Sequence, residues 1–246
     1  MKRIIEKYNV LFWDFVHKYD ISNTNIIRKI IHSFKVADVC FDIASIKGLN
    51  ENERNFAYLM GLFHDLGRFE QWKIYQSFDD AKTVDHADIS ALIIDGYSCE
   101  DLVIDEWKKE LLKTCVKYHT KIYDGDDEQV KLYNSILNNA DAFSNVTTCV
   151  NGAMRVLQTE DGVSEDILGA FKERKLMRVY SPKTKLDRCL ILTACFYYVK
   201  FDFLVKELLN KRYLDILYET LSKYLNDADK ALYWQILGDL KEEMNK

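Results

Sequence analysis

The chain holds only five histidines in 246 residues, and four of them fall into an ordered set with two aspartates. His32 comes first, then the adjacent pair His64-Asp65 in the stretch GLFHDLGRFEQW, then His86, His119 and finally Asp141. Neutral imidazole suits borderline first-row metal ions and carboxylate suits harder ones. Each position lies on, or at the end of, a different expected helix, and metal sites in helical bundles are assembled in that way. Asp65 offers two oxygens and can therefore reach two ions. Neighbouring residues on an α-helix point about 100° apart. His64 and Asp65 share one centre if the helix frays there and Gly67 lets the chain bend away. Each histidine alone is more simply read as a packed or surface residue. The ordered set is what points to coordination. His17 has no such companion and is left out.

Basic residues flank the set. Arg68, three residues past Asp65, could grip a phosphate or carboxylate in two-pronged fashion, and its bland alternative is a surface ion pair. Lys82 lies four residues before His86 and Lys121 two after His119. Either could neutralise a phosphoryl oxygen, or simply be solvated. Phe69, Trp72, Tyr75 and Phe78 are read as core anchors of a loop, with stacking on a base as the lesser alternative. Asp85 or Asp88 is the expected acceptor that orients His86.

These residues need long helices to carry them. Nine glycines and one proline are too few for a sandwich or barrel, and the pattern predicts an all-α chain. Apolar residues recur at helical spacing in RIIEKYNVLFWDFVHKY and in IIRKIIHSFKVADVCFDIASI, the latter ending at Gly48. Asn50 with Glu53 forms a capping-box arrangement that opens a third helix, expected to end near Gly67. RFEQWKIYQSFDDAKTV reads as a connection. Further helices are expected at DHADISALIIDGY, DEWKKELLKTCVKYHT and DEQVKLYNSILNNADAFSNVTTCV. Past residue 150, Ser181-Pro182 reads as an N-cap followed by proline at the first helical position. KLDRCLILTACFYYVKF reads as a central helix and the last stretches as amphipathic ones. A single domain over 1–246 is the simplest organisation.

Composition narrows the function class. A net charge of -5 disfavours long nucleic acid as a partner but leaves room for a small anionic ligand. The six cysteines show no C-x-x-C pair and read as free thiols in a reducing compartment. The N-terminal stretch lacks the cleavage site of a signal peptide, and no apolar run reaches the ~18 residues of a membrane span. The expectation is a cytoplasmic protein with no membrane partner. Monomer and homodimer both remain open.

The set His32, His64-Asp65, Asp141 resembles the motif of the HD superfamily of metal-dependent phosphohydrolases. HDLGRFEQWKIYQSFDDAKTVDHADIS is similar to a bacterial HD-domain hydrolase family that carries HD-[IL]-G-R-F-x-Q, an aromatic-rich loop and a Lys-Ser/Thr-Val-x-His-Ala segment. KYHTK and LDRCLILTACFYYVKFDF resemble two further segments of that family. NADAFSN departs from it: of the family's usual D-A-D-K-L-D the metal-binding aspartate survives as Asp141, but the lysine and the flanking aspartates do not.

The resemblance implies an HD-type helical bundle over about 22–150, with additional C-terminal helices (about 151–246) packed on it. It implies one ion held by His32, His64, Asp65 and Asp141, and a second by Asp65, His86 and His119. The ions would be divalent, drawn from Mn, Fe, Mg, Ni and Zn. The implied activity is that of a phosphomonoesterase or phosphodiesterase acting on a small phosphorylated substrate such as a nucleotide. A metal-bridged hydroxide would attack phosphorus in line, with Asp65 and Arg68 as catalytic residues and Arg68, Lys82 and Lys121 as substrate contacts. Two alternatives stay open. The same ligand set resembles that of HD-fold diiron oxygenases acting on a polyol or phosphonate, and the departure at NADAFSN fits a non-catalytic ligand-binding module.

Overall fold

The computed structural model describes residues 2–80, 82–121, 123–151 and 156–246. It is all-α. The described residues contain no strand, only an isolated bridge between Glu160 and Thr184. The chain divides into two compact units, Met1–Asp141 and Ala142–Lys246.

The N-terminal unit contains α1 (Lys2–Val16), α2 (Thr24–Ile46), α3 (Glu51–Phe63), α4 (Leu66–Tyr75), α5 (His86–Asp95), α6 (Cys99–Leu102), α7 (Glu106–Tyr118) and the part of α8 (Glu128–Val150) up to Asp141. Its centre is α3. The expected capping box is formed, with Asn50 accepting from the Glu53 backbone and Glu53 from the Asn50 backbone. Every residue from Asn55 to Phe63 is buried. A helix apolar all round belongs inside a core rather than on its rim. α2 makes the most extensive contact with α3. Close approach is possible because Gly61 faces the α2 backbone: a Cβ there would lie 2.7 Å from the Ala37 Cα.

Two features differ from the sequence reading. The segment after the HD pair is not a connection up to residue 84; its first part is α4. The aromatics account for this, because Phe69 is fully buried against Phe12, Phe15 and Tyr19. Tertiary burial stabilises a helix that its polar residues obscure. Gly67 does not end the third helix either, which stops at Phe63. It lets α4 cross α5 at backbone distance: a Cβ there would sit 2.1 Å from the His86 carbonyl oxygen.

The C-terminal unit contains α9 (Glu165–Lys172), α10 (Lys185–Thr193), α11 (Cys195–Tyr198), α12 (Asp202–Asn210), α13 (Tyr213–Leu221) and α14 (Asp227–Met244). The helix expected to start at Ser181-Pro182 starts at Lys185. Thr184 is its N-cap and forms a capping box with Asp187, satisfying two backbone donors reciprocally where Ser181 would satisfy one. The six cysteines are free thiols, with Cys40, Cys115, Cys149 and Cys189 buried. Among the described residues no helix is long and apolar enough to cross a membrane.

Candidate metal centre

The four histidines and two aspartates of the ordered set converge in the N-terminal unit, on five separate segments. His32 lies inside α2 and Asp141 inside α8. His64 is the C-cap of α3, His119 the C-cap of α7, and His86 the first residue of α5. All six are at least nine-tenths buried. Asp65 sits between α3 and α4 with φ -108° and ψ 18°, in the sparsely populated bridge region where active-site residues are often found. The helix breaks at this residue, and so two neighbours that an unbroken helix would splay apart face one centre.

The two oxygens of Asp65 face different partners. Oδ2 lies 3.5 Å from His32 Nε2 and 3.5 Å from His64 Nε2. Oδ1 lies 3.2 Å from His86 Nε2 and 3.8 Å from His119 Nε2. Asp141 Oδ1 adds to the first group, 3.1 Å from His32 Nε2 and 3.9 Å from His64 Nε2. The carboxylate of Asp65 therefore stands between two nests of donor atoms. Donor atoms of His32, His64 and Asp141 all lie within 4.8 Å of one another, as do those of His64, Asp65 and His119.

The outer nitrogens settle which tautomer faces inward. His64 Nδ1 donates to the Gly61 carbonyl at 2.7 Å and His119 Nδ1 to the Val116 carbonyl at 2.5 Å. Both acceptors belong to the last turns of α3 and α7, and the Val116 carbonyl also accepts the His119 backbone N–H at 3.3 Å. His86 Nδ1 donates to both oxygens of Asp80 at 2.9 Å. With the proton on Nδ1, each Nε2 presents a lone pair to the centre.

Those lone pairs have no donors to meet. His86 Nε2 and His119 Nε2 are 3.1 Å apart, acceptor against acceptor. His64 Nε2 is buried with no hydrogen-bond partner. Protonation does not supply one to His64 or His119 at neutral pH: burial pushes His64 down to about 4, although Asp65 and Asp141 oppose it. Burial, then His86 and His64, holds His119 well below its ordinary value. Burial alone would raise the pKa of Asp65, but Lys29, His64 and His86 outweigh it and keep the carboxyl well below the usual range. Buried acceptors facing one another are costly, and a cation among them relieves the cost. The donor set and the orphaned nitrogens fit divalent metal ions.

The supporting residues fall elsewhere than expected. Asp80, not Asp85 or Asp88, orients His86. Arg68 spends its fork on Asp80 through Nη1 at 2.9 Å and Nη2 at 3.2 Å, and Gln71 Nε2 adds a bond at 2.9 Å. Asp85 instead caps α5 and accepts from Lys121 Nζ at 2.7 Å. Lys82 is exposed and pairs with Asp79. The structure thus brings Arg68 to the edge of the cluster, its Nε 3.8 Å from Asp65 Oδ1, and leaves Lys82 and Lys121 outside it. His17 stacks beside Trp13, away from the set.

Sequence reading missed Lys29, whose ammonium donates to Asp65 Oδ2 at 2.7 Å. Its signal was present: it lies three residues before His32, one helical turn away on the same face. Asp80 carried no comparable signal, being set by the path of a loop.

A family model described as the HD domain matches residues 30–146. Neither a curated protein nor a solved structure gives a significant match to the chain.

Proposed function

Because residues 30–146 belong to the HD-domain superfamily, whose members are typically metal-dependent phosphohydrolases, we propose that this chain hydrolyses a small phosphate ester, such as a nucleotide, at a dinuclear metal centre. The observation that carries this reading is the two-sided carboxylate of Asp65, with one oxygen toward His32 and His64 and the other toward His86 and His119. His32, His64, Asp65 and Asp141 would hold one ion, and Asp65, His86 and His119 the other. Bound there, divalent ions supply Lewis acidity toward a phosphoryl oxygen and lower the pKa of water.

The chain's own residues do the rest. The Gly61 and Val116 carbonyls and Asp80 fix the ring orientations before any ion arrives, which removes reorganisation cost. Arg68 acts as a positioning residue, because its two terminal nitrogens are committed to Asp80. Lys29 is the cation nearest the centre and neutralises Asp65; it is placed to face an oxyanion brought to the ions. The burial of all six ligands keeps competing water out.

The test is phosphate release from a panel of phosphomonoesters and diesters by manganese-loaded protein under anaerobic conditions. Release that chelation abolishes is expected. Oxygen consumption with a polyol or phosphonate and no release from any ester would overturn the reading in favour of an oxygenase.

A further inference from the structure

Charge matching around Phe78 leaves one cation without an acid. Three basic groups surround its ring: Lys29 Nζ lies 5.4 Å from the centroid, Arg28 Cζ 5.7 Å and Arg68 Cζ 5.9 Å. Lys29 is matched by Asp65 and Arg68 by Asp80. Arg28, half-buried and next to Lys29 on α2, has no hydrogen bond or ion pair with any described residue. Two other cations of this unit have acids: Lys113 has Asp95 and Lys121 has Asp85. Burial lowers the pKa of Arg28, with no carboxylate opposing it. A guanidinium partly removed from water without a counter-charge is unfavourable, and a bound anion reverses that.

We propose that Arg28, beside the Phe78 ring, is a subsite for a second phosphoryl group of the substrate, next to the position where the metal centre would hold the first. The proposal rests on the phosphohydrolase reading and narrows it to substrates with two linked phosphoryl groups, such as nucleoside diphosphates. A first phosphoryl group would be matched in charge by the divalent ions of that centre. The Arg28 side chain makes no hydrogen bond or ion pair with any of the six, but shares the Phe78 ring with Lys29, which does. Its planar fork matches the geometry of a phosphoryl group and donates to two of its oxygens at once.

The probes are methylenebisphosphonate, whose P–C–P link is not hydrolysed, and methylphosphonate, titrated calorimetrically into manganese-loaded protein with metal content measured after each run. The wild type should bind the bisphosphonate about tenfold or more tightly than the monophosphonate. Arg28→Gln should reduce that ratio to within about twofold, and Arg28→Lys should retain an intermediate ratio because charge stays while the fork is lost. Lys73→Gln, which removes an exposed cation paired with Glu70, should leave the ratio as in the wild type. A ratio that survives Arg28→Gln overturns the subsite, and so does a ratio that falls equally in Lys73→Gln. A wild type that binds both probes alike refutes the subsite while the phosphohydrolase reading stands. Binding of neither, together with no ester hydrolysis, removes both.

Discussion

Asp65 in the N-terminal unit and Asp187 in the C-terminal unit are both buried carboxylates, 2% and 0% exposed, and their surroundings are opposite in kind. Asp187 meets donors only. Oδ1 accepts from the Ser164 backbone at 2.8 Å, and Oδ2 accepts from the Ser164 hydroxyl at 2.7 Å and from the backbones of Lys183 and Thr184 at 3.0 and 3.1 Å. Asp65 meets one ammonium and, around it, three imidazole nitrogens presented as acceptors. A buried polar cluster whose donors and acceptors match holds a fold together. One whose acceptors converge needs a cation from outside. The comparison separates structural burial from a site without reference to any motif.

The largest effect expected from breaking that contrast is at Asp65. Asp65→Asn removes the shared carboxylate, so bound metal should drop to no more than one equivalent and phosphate release should fall on the order of a thousandfold or more. Wild-type metal content in this variant would contradict the bridging role. Asp187→Ala is the mirror experiment. It strands several backbone donors, so chemical denaturation should show a loss on the order of 3 kcal/mol, while metal content stays at the wild-type level. Loss of metal there would blur the distinction.

Asp80→Ala frees His86 from its acceptor. A drop of about 10- to 100-fold in metal affinity is expected, read by competition with a chromophoric chelator. An unchanged affinity would mean that the α5 backbone alone orients the ring.

The Asp187 cluster also responds to acid. Burial would raise the pKa of Asp187, but the Ser164, Thr184 and Lys183 donors outweigh it, so its folded value lies below the unfolded one. Its contribution is then complete above the unfolded value of about 3.9 and is lost as pH falls through the lower folded value. The stability advantage of wild type over Asp187→Asn should therefore shrink between pH 7 and pH 2.5, as denaturation midpoints at the two values would reveal. The smallest effect is at Lys82, exposed and paired with Asp79. Lys82→Gln should change turnover by less than about twofold, and a larger loss would bring that loop back into the site.

The six converging residues were legible because ligand chemistry is carried by residue type and four of five histidines fell in order. The capped ends of the helices were legible for a similar reason: Asn50 and Glu53 interact with backbone three residues away, and short range is what sequence displays. α4 was not, because its helical state depends on Phe69 meeting Phe12, Phe15 and Tyr19 from elsewhere in the unit. Gly67 was read for conformational freedom when its missing side chain mattered for close packing against His86 and Ser90. Arg68 beside the HD pair looked like a substrate contact. Its actual partner, Asp80, is twelve residues away on a loop, and only the fold brings the two together.

The most direct test of the convergent-acceptor account is the metal content of protein purified without chelators or metal-affinity steps. The account predicts two equivalents of divalent ion per chain, falling to one when His86 and His119 are both replaced by alanine. A wild type that carries no ion, or a double variant that keeps both, would contradict it.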